Sequence, residues 1–276
     1  EWLPSAQIHM LLYQAFGWEP PVFCHLPIIL GKDGQKLSKR HGSTTLQAFR
    51  EAGYLPEAII NYVSLLGWSY DDQREFFTKE ELEELFSLDK LNKAPAVFDY
   101  KKLEWFNGQY IRRKSDAELE ELVLPYLQTD GVVSNPVTED EKHILDGMIP
   151  LIKERLKVLP EVSGLSRFLF EEVRIEDPAL LVPKKLDSKR ALEVLKASRN
   201  VLEGFADRSD EENEQLFRDT DKEMGIKLGD MLMPLRVAIT GSASSPPLFG
   251  SIRLLGIEKT ARRVDAAVTL LEEYNL

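Results

Sequence analysis

Four helix-start signals recur along this chain and constrain its fold more than any other feature of the sequence. Each is a capping box, in which a Ser or Thr is followed three residues later by a Glu. The four pairs are Thr78 with Glu81, Ser115 with Glu118, Thr138 with Glu141 and Ser209 with Glu212. In such a box the hydroxyl and the carboxylate each accept a backbone N–H that has no partner within the helix. Because apolar residues at helical spacing follow each box, the sequence predicts a mainly α-helical fold.

The N-terminal segment predicts one more helix. Ser5 is placed to cap it, apolar residues recur at Ile8, Leu11 and Ala15, and Gly17 is a typical helix stop. We expect this helix to be buried. The chain lacks an initiating Met and the basic and apolar regions of a signal peptide. We therefore expect that an N-terminal portion of the natural protein is absent.

Composition excludes several classes of protein. Of the 276 residues, 43% are hydrophobic, and no apolar run reaches the roughly 18 residues that a membrane span needs. The single cysteine, Cys24, rules out an internal disulfide, and the four histidines are not spaced as metal ligands. A cytoplasmic protein with no bound metal is expected. The net charge of −11 argues against non-specific binding to nucleic acid, although clusters of Lys and Arg allow local basic patches.

The most distinctive candidate site is the basic segment 36–42. It follows a β-rich run at 26–30 and the turn signal Asp33-Gly34, so we predict a strand that runs into a turn just before it. The segment holds three cations and a hydroxyl, at Lys36, Ser38, Lys39 and Arg40. Lysines in such a loop can place positive charge on a polyphosphate without the backbone cradle of a Walker loop. An exposed basic hairpin end is the alternative interpretation.

In its context this segment resembles a known signature. Lys36-Leu37-Ser38-Lys39-Arg40 is similar to the Lys-Met-Ser-Lys-Ser signature of class I aminoacyl-tRNA synthetases, in the form found in the glutamyl branch. Further segments occur in the order seen in bacterial glutamyl-tRNA synthetases: Phe16 to Pro21, His25 to Pro27, Gly53 to Ala58, Leu66 to Ser69, Leu103 to Gln109 and Pro234 to Gly241. The chain thus resembles that family from the end of its catalytic domain onward.

This resemblance implies a mainly α fold in three parts. Residues 1–43 would be the end of an α/β nucleotide-binding catalytic domain, 44–112 a helical stem-contact domain, and 113–276 an all-helical anticodon-binding domain. The implied activity is that of a two-step ligase. L-glutamate attacks the α-phosphate of ATP, supplied with Mg²⁺, and the glutamyl group then moves to tRNA(Glu). A monomer is expected.

The resemblance also implies roles for the basic loop. Lys39 would meet the phosphates of ATP with help from Lys36, while Ser38 and Arg40 would shape the loop. The His-x-Gly-His element and the glutamate pocket lie upstream in the family and are absent from this sequence. We therefore do not expect the chain alone to catalyse the reaction.

Two places resemble family positions that read the anticodon. Arg155 aligns with the arginine that recognises the third anticodon base. Ser245, Pro246 and Leu248 align with a loop that touches the other anticodon bases. Pro247 stands where the family has Gly, which stiffens the loop and removes a backbone donor. A surface arginine at a helix end and an ordinary Pro-rich connector are the alternatives.

A weaker prediction concerns contacts with the tRNA stem. It covers the aromatic and polar residues Trp105, Asn107, Tyr110 and Arg112. Burial in the core is the alternative for Trp105 and its neighbour Phe106, because aromatic side chains are usually buried. Two other functional classes stay open for the whole chain. One is a free-standing helical RNA-binding module with a vestigial basic loop, and the other is a protein-interaction scaffold.

Overall fold

Helices dominate the part of the chain that the structure describes, residues 2–42, 45–71 and 73–275 of a computed structural model. In chain order its α-helices are α1 (Ala6–Phe16), α2 (Leu46–Glu51), α3 (Pro56–Ser64), α4 (Lys79–Leu85), α5 (Tyr100–Arg113), α6 (Asp116–Thr129), α7 (Glu139–Lys153), α8 (Glu161–Phe170), α9 (Ser188–Val201), α10 (Asp210–Glu223), α11 (Leu228–Thr240), α12 (Leu248–Leu255) and α13 (Ile257–Tyr274). The predicted mainly α fold is confirmed. None of these helices is both long and apolar enough to cross a membrane.

All four predicted capping boxes are present at helix starts. At the start of α6, Glu118 N donates to Ser115 Oγ at 3.2 Å, and Ser115 N donates to the Glu118 carboxylate at 2.7 Å. The backbone hydrogen bond from Ser115 is the main reason that the pKa of Glu118 lies below its usual value. These boxes satisfy donors that a helix start otherwise leaves without partners.

Two local predictions near the N-terminus were wrong. Helix α1 forms where expected, but none of its residues is buried. Amphipathic spacing predicts a helix, whereas burial also needs an element packed over the apolar face, and the sequence pattern does not supply one. The strand predicted at 26–30 is reduced to isolated bridges of Leu30 with Lys36 and Val97. One paired residue on each side is too few for a regular strand ladder.

The chain divides into two compact units, residues 1–111 and 112–276, so the division falls within α5. The finer division into three domains stays a prediction. Its first boundary, at residues 43 and 44, lies outside the described residues.

Buried polar side chains organise the first unit. Asn107 is fully buried on α5, where its Oδ1 accepts Leu55 N at 2.7 Å and its Nδ2 donates to Gly53 O at 3.3 Å. Tyr110 lies one turn further along, and its hydroxyl contacts Asn61 Oδ1 at 2.6 Å. These bonds attach α5 to the start of α3 and to its interior, because buried polar groups need such partners.

Helix packing and one arginine organise the second unit. Helix α13 packs on α9 and α11, while α7 packs on α6, α8 and α12. Arg263 of α13 is 5% exposed and donates to Ile239 O and to Glu171 O, each at 2.7 Å. Both carbonyls lie at helix C-termini, where acceptors have no partner within the helix. Arg263 thus ties the ends of α11 and α8 to α13.

We predict that Asn107→Ala destabilises the first unit by about 1–3 kcal/mol, because it leaves the Leu55 N–H buried without an acceptor. All four tryptophans, at positions 2, 18, 68 and 105, lie in this unit. Urea unfolding followed by tryptophan fluorescence therefore measures the effect. The control is Lys101→Ala at an exposed position of the same helix, with an expected change within about 0.5 kcal/mol. Equal stability of the two variants would contradict the role of Asn107.

Candidate functional site

The basic loop begins at a tight turn anchored by Asp33. Gly31 N donates to Gln35 O at 2.8 Å, and Leu37 N donates to Ile29 O at 2.9 Å, so the chain reverses direction around the turn. Asp33 accepts a hydrogen bond from Gln35 N at 3.0 Å. This bond, followed by one from His41, holds the pKa of Asp33 below its usual value. The turn therefore presents an ionised carboxylate to the loop.

The four loop residues predicted from the sequence differ in solvent exposure. Lys36, Lys39 and Arg40 are exposed, whereas Ser38 is half-buried. The Arg40 guanidinium lies 3.5 Å from Asp33. The Lys39 ammonium enters no ion pair within the described ranges. The loop thus holds two exposed lysines beside one partly neutralised arginine, a suitable arrangement for an anionic ligand.

His41 connects this loop to the turn and was not predicted as a site residue. Its ring contacts Ser38 through Nδ1 and Asp33 through Nε2. The side chain is 13% exposed. Its position directly after Arg40 in the matching segment is the one signal that could have identified it. No group of three His, Cys, Asp or Glu side chains in the described chain is arranged to hold a metal ion.

The residues proposed for stem contact split into core and surface positions. Asn107 and Tyr110 are 0% and 8% exposed, with their polar atoms bonded inside the first unit. They stabilise the core and are not available to RNA in this structure. Trp105 is 46% exposed, while Phe106 is fully buried. Arg112, in the second unit, lies 4.0 Å from Glu154. The stem contact is retained as a proposal for Trp105 and Arg112.

Two helices of the second unit cross closely because each presents a glycine to a leucine of the other. A Cβ built on Gly147 of α7 would lie 2.6 Å from Leu254 Cδ1 of α12. A Cβ built on Gly250 of α12 would lie 2.5 Å from Leu151 Cδ2 of α7. Residue 147 of α7 meets residue 254 of α12, whereas residue 151 of α7 meets residue 250 of α12. The two helices therefore run antiparallel.

This register places the two predicted anticodon positions at the same end of the helix pair. Arg155 follows the end of α7, and Pro246 precedes the start of α12. Because α7 and α12 run antiparallel, the end of α7 and the start of α12 lie at the same end of the helix pair. Arg155 is exposed. Sequence positions about 90 residues apart thus reach the same end of a helix pair.

Arg236 of α11 joins these positions and was also not predicted as a site residue. Its Nη1 donates to Pro246 O at 3.0 Å and contacts Ser245 Oγ. Burial is the main reason that the pKa of Arg236 is lowered, and the positive charge of Arg155 lowers it further. Two guanidinium groups therefore lie near each other beside the loop. Such a pair favours a ligand that is anionic or rich in hydrogen-bond acceptors.

The side chains that the loop before α12 exposes to solvent differ from those predicted to contact the anticodon. Ser245 is 3% exposed, Leu248 is 5% exposed, and Pro246 is also buried. Ser244 and Pro247 are the neighbouring exposed residues. Ser245, Pro246 and Leu248 therefore set the shape of the loop from the inside.

Comparison with known proteins identifies the family. The model of an anticodon binding domain matches residues 118–268, and the model of the catalytic domain of class I tRNA synthetases (E and Q) matches residues 1–105. A glutamate–tRNA ligase of Borreliella burgdorferi is 50% identical over 271 residues, 98% of this chain and 55% of the relative. The chain belongs to the glutamate–tRNA ligase family. The ligase of Treponema denticola is 48% identical over 97% of this chain and 57% of its own length.

A solved structure agrees with this membership. The crystal structure of a glutamate–tRNA ligase from Elizabethkingia meningosepticum, in complex with its amino acid, matches with a TM-score of 0.71 and 29% identity. The match covers 98% of this chain and 56% of that one. The chain therefore spans little more than half the length of the ligases that it matches.

We predict that Gly250→Ala is less stable than Gly164→Ala by about 0.5–1.5 kcal/mol, because the new methyl group at 250 displaces the half-buried Leu151 side chain from its rotamer. Gly164 is the matched control: it is also helical, in α8 of the same unit, and a Cβ there meets nothing within 4 Å. Both variants gain the same helix propensity. The measurement is urea unfolding followed by far-UV circular dichroism. Equal stability changes would contradict the close crossing of α7 and α12.

Proposed function

We propose that this chain provides two parts of a glutamate–tRNA ligase: the surface that reads the anticodon and the loop that binds the phosphates of ATP. In the whole ligase, L-glutamate attacks the α-phosphate of ATP and pyrophosphate leaves. The glutamyl group is then transferred to the terminal adenosine of tRNA(Glu). The observation that carries the proposal is the convergence of Arg155, Arg236 and the Ser245–Pro247 loop at one end of the α7–α12 pair.

The anticodon surface combines charge with a fixed loop. Arg155 is exposed and can present its planar guanidinium to a base edge, a geometry suited to paired hydrogen bonds. Arg236 holds the loop by its contacts with Ser245 and Pro246. Exposed Pro247 then offers a rigid apolar face to an unstacked base. We assign Arg155 to the third anticodon base and the loop to the other bases.

The ATP-binding loop acts by placing positive charge. Lys39 would contact the phosphates and neutralise the charge that develops as pyrophosphate leaves. Lys36 would assist it, while Ser38 and Arg40 would fix the conformation of the loop. The side chains here are cations, which match phosphate oxygens and not a metal ion. We therefore propose that Mg²⁺ is bound by the phosphates of ATP, as is common for this ion.

The remaining partners follow from the same assignment. The whole ligase would bind tRNA(Glu), ATP and L-glutamate, and would act as a monomer in the cytoplasm. The second candidate function is a tRNA-binding module without catalysis. The support for this alternative is that the proposed anticodon residues all lie in the second unit, whereas the basic loop lies in the first.

For the anticodon surface, we predict that Arg155→Ala weakens binding of a glutamate anticodon stem-loop to this chain. The loss of one paired base contact costs about 1–3 kcal/mol, roughly a 5- to 150-fold rise in Kd. The variant should also lose preference for cytosine over guanine at the third anticodon base, because the contact that distinguishes them is removed. The measurement is fluorescence anisotropy at constant salt with two stem-loops, one with cytosine and one with guanine at the third anticodon base.

The control for this experiment is Arg174→Ala, which removes another exposed arginine of the second unit. It should leave the preference unchanged. An unchanged preference in Arg155→Ala would overturn the assignment of Arg155. If the unsubstituted chain binds neither stem-loop in a salt-sensitive way, both tRNA functions are wrong.

For the ATP loop, we predict that Lys39→Ala lowers the rate of ATP–pyrophosphate exchange about 10²- to 10³-fold in a full-length ligase containing this chain. The assay contains tRNA(Glu). The control is Lys93→Ala, an exposed lysine of the same unit outside the loop, with no expected change. An unchanged exchange rate in Lys39→Ala would show that the assignment of the loop to the phosphates of ATP is wrong.

A further inference from the structure

The imidazole of His41 joins two segments of the basic loop through both ring nitrogens. Ser38 N lies 3.0 Å and Ser38 Oγ 3.1 Å from Nδ1. The two carboxylate oxygens of Asp33 lie 3.1 Å and 3.2 Å from Nε2. Asp33 belongs to the turn, and Ser38 directly precedes Lys39. One side chain thus spans the loop from the turn to the residue beside the proposed phosphate-binding lysine.

Each ring nitrogen of His41 has a polar partner. The Ser38 N–H is a donor, so Nδ1 accepts in this contact. The carboxylate of Asp33 is an acceptor, so Nε2 donates to it. Hydrogen bonds at both nitrogens therefore hold the ring in one orientation between Ser38 and Asp33.

The space occupied by the ring is available because residue 31 is a glycine. A Cβ built on Gly31 would lie 2.7 Å from Cδ2 and 2.8 Å from Nε2 of His41. Atoms this close must move apart. Because the ring is held at both nitrogens, it cannot move without losing a hydrogen bond. At the other end of the loop, Gly42 has a φ of 124°, and a Cβ there would lie 3.0 Å from the Tyr100 ring.

We propose that His41 and Asp33 are positioning residues that hold Ser38 and Lys39 in the conformation needed at the phosphates of ATP. This inference rests on the proposed function of the loop. A misplacement of about 1 Å can cost about 10²-fold in rate, so a link that fixes the residue before Lys39 has a measurable effect. His41 and Asp33 are not assigned contact with ATP, and they act through Lys39.

The test uses His41→Asn in the full-length ligase with tRNA(Glu) present. The asparagine amide can still accept from Ser38 N–H but is too short to reach Asp33. We expect kcat for ATP–pyrophosphate exchange to fall about 10- to 100-fold while KM for ATP changes less than about threefold. A group that merely stabilises the fold would lower the active fraction but would not depend on Lys39. The substitution is therefore repeated in the Lys39→Ala background, where we expect no further loss.

Two further variants and one control complete the test. Asp33→Ala removes the acceptor of Nε2 at a side chain that is 49% exposed, so the fold should tolerate it. Gly31→Ala displaces the ring. Both should lower kcat as His41→Asn does, and all should leave the affinity for tRNA(Glu) unchanged. His143→Asn, at an exposed histidine of the second unit, should have no effect on kcat.

The outcomes separate this inference from the function on which it rests. If Lys39→Ala lowers exchange but His41→Asn and Asp33→Ala do not, the positioning role is wrong and the loop function stands. If His41→Asn costs as much in the Lys39→Ala background as alone, the role is also wrong, because the effect does not pass through Lys39. If Lys39→Ala itself has no effect, the proposed loop function fails.

Discussion

The close antiparallel packing of α7 and α12 is the constraint on which the proposed anticodon surface depends. Two glycines, Gly147 and Gly250, let the helices approach until each meets a leucine methyl group of the other. A methyl group added at either glycine would force the end of a half-buried leucine side chain to move. The same register fixes where the chain leaves α7 and where it enters α12. Glycine within a helix lowers helix propensity. Here the two glycines allow the close packing that sets the positions of Arg155 and the Pro-rich loop.

The two proposed sites are held by different forces on an acidic protein. Hydrogen bonds among Asp33, Ser38 and His41 hold the basic loop, whereas apolar helix packing sets the position of the anticodon surface. A net charge of −11 gives the surface as a whole little attraction for RNA. Any affinity of the proposed surface for RNA would then come from a few local cations, Arg155 and Arg236 among them. This arrangement favours recognition of particular bases over general binding to phosphates.

Features that depend on neighbouring residues could be predicted from the sequence, and features that depend on distant residues could not. The capping boxes and helix starts were predicted because both partners lie within four residues. The resemblance supplied Arg155 and the loop but not their juxtaposition, which arises from packing between helices about 90 residues apart. His41 was missed because its role depends on Asp33 across a turn. The burial predicted for helix α1 was wrong, because the spacing of apolar residues identifies an apolar face but not an element that covers it.

We propose that Arg155 and the loop that contains Ser245–Pro247 form one surface that reads the anticodon. Photo-crosslinking tests it most directly, with a glutamate anticodon stem-loop that carries a photoreactive pyrimidine at the third anticodon base. Cross-linked peptides of this chain are identified by mass spectrometry. We expect cross-links at Arg155 and its neighbours or within residues 242–248, and we expect them to be lost with a stem-loop of unrelated anticodon. Cross-links confined to other helices, or equal yields with both stem-loops, would contradict it.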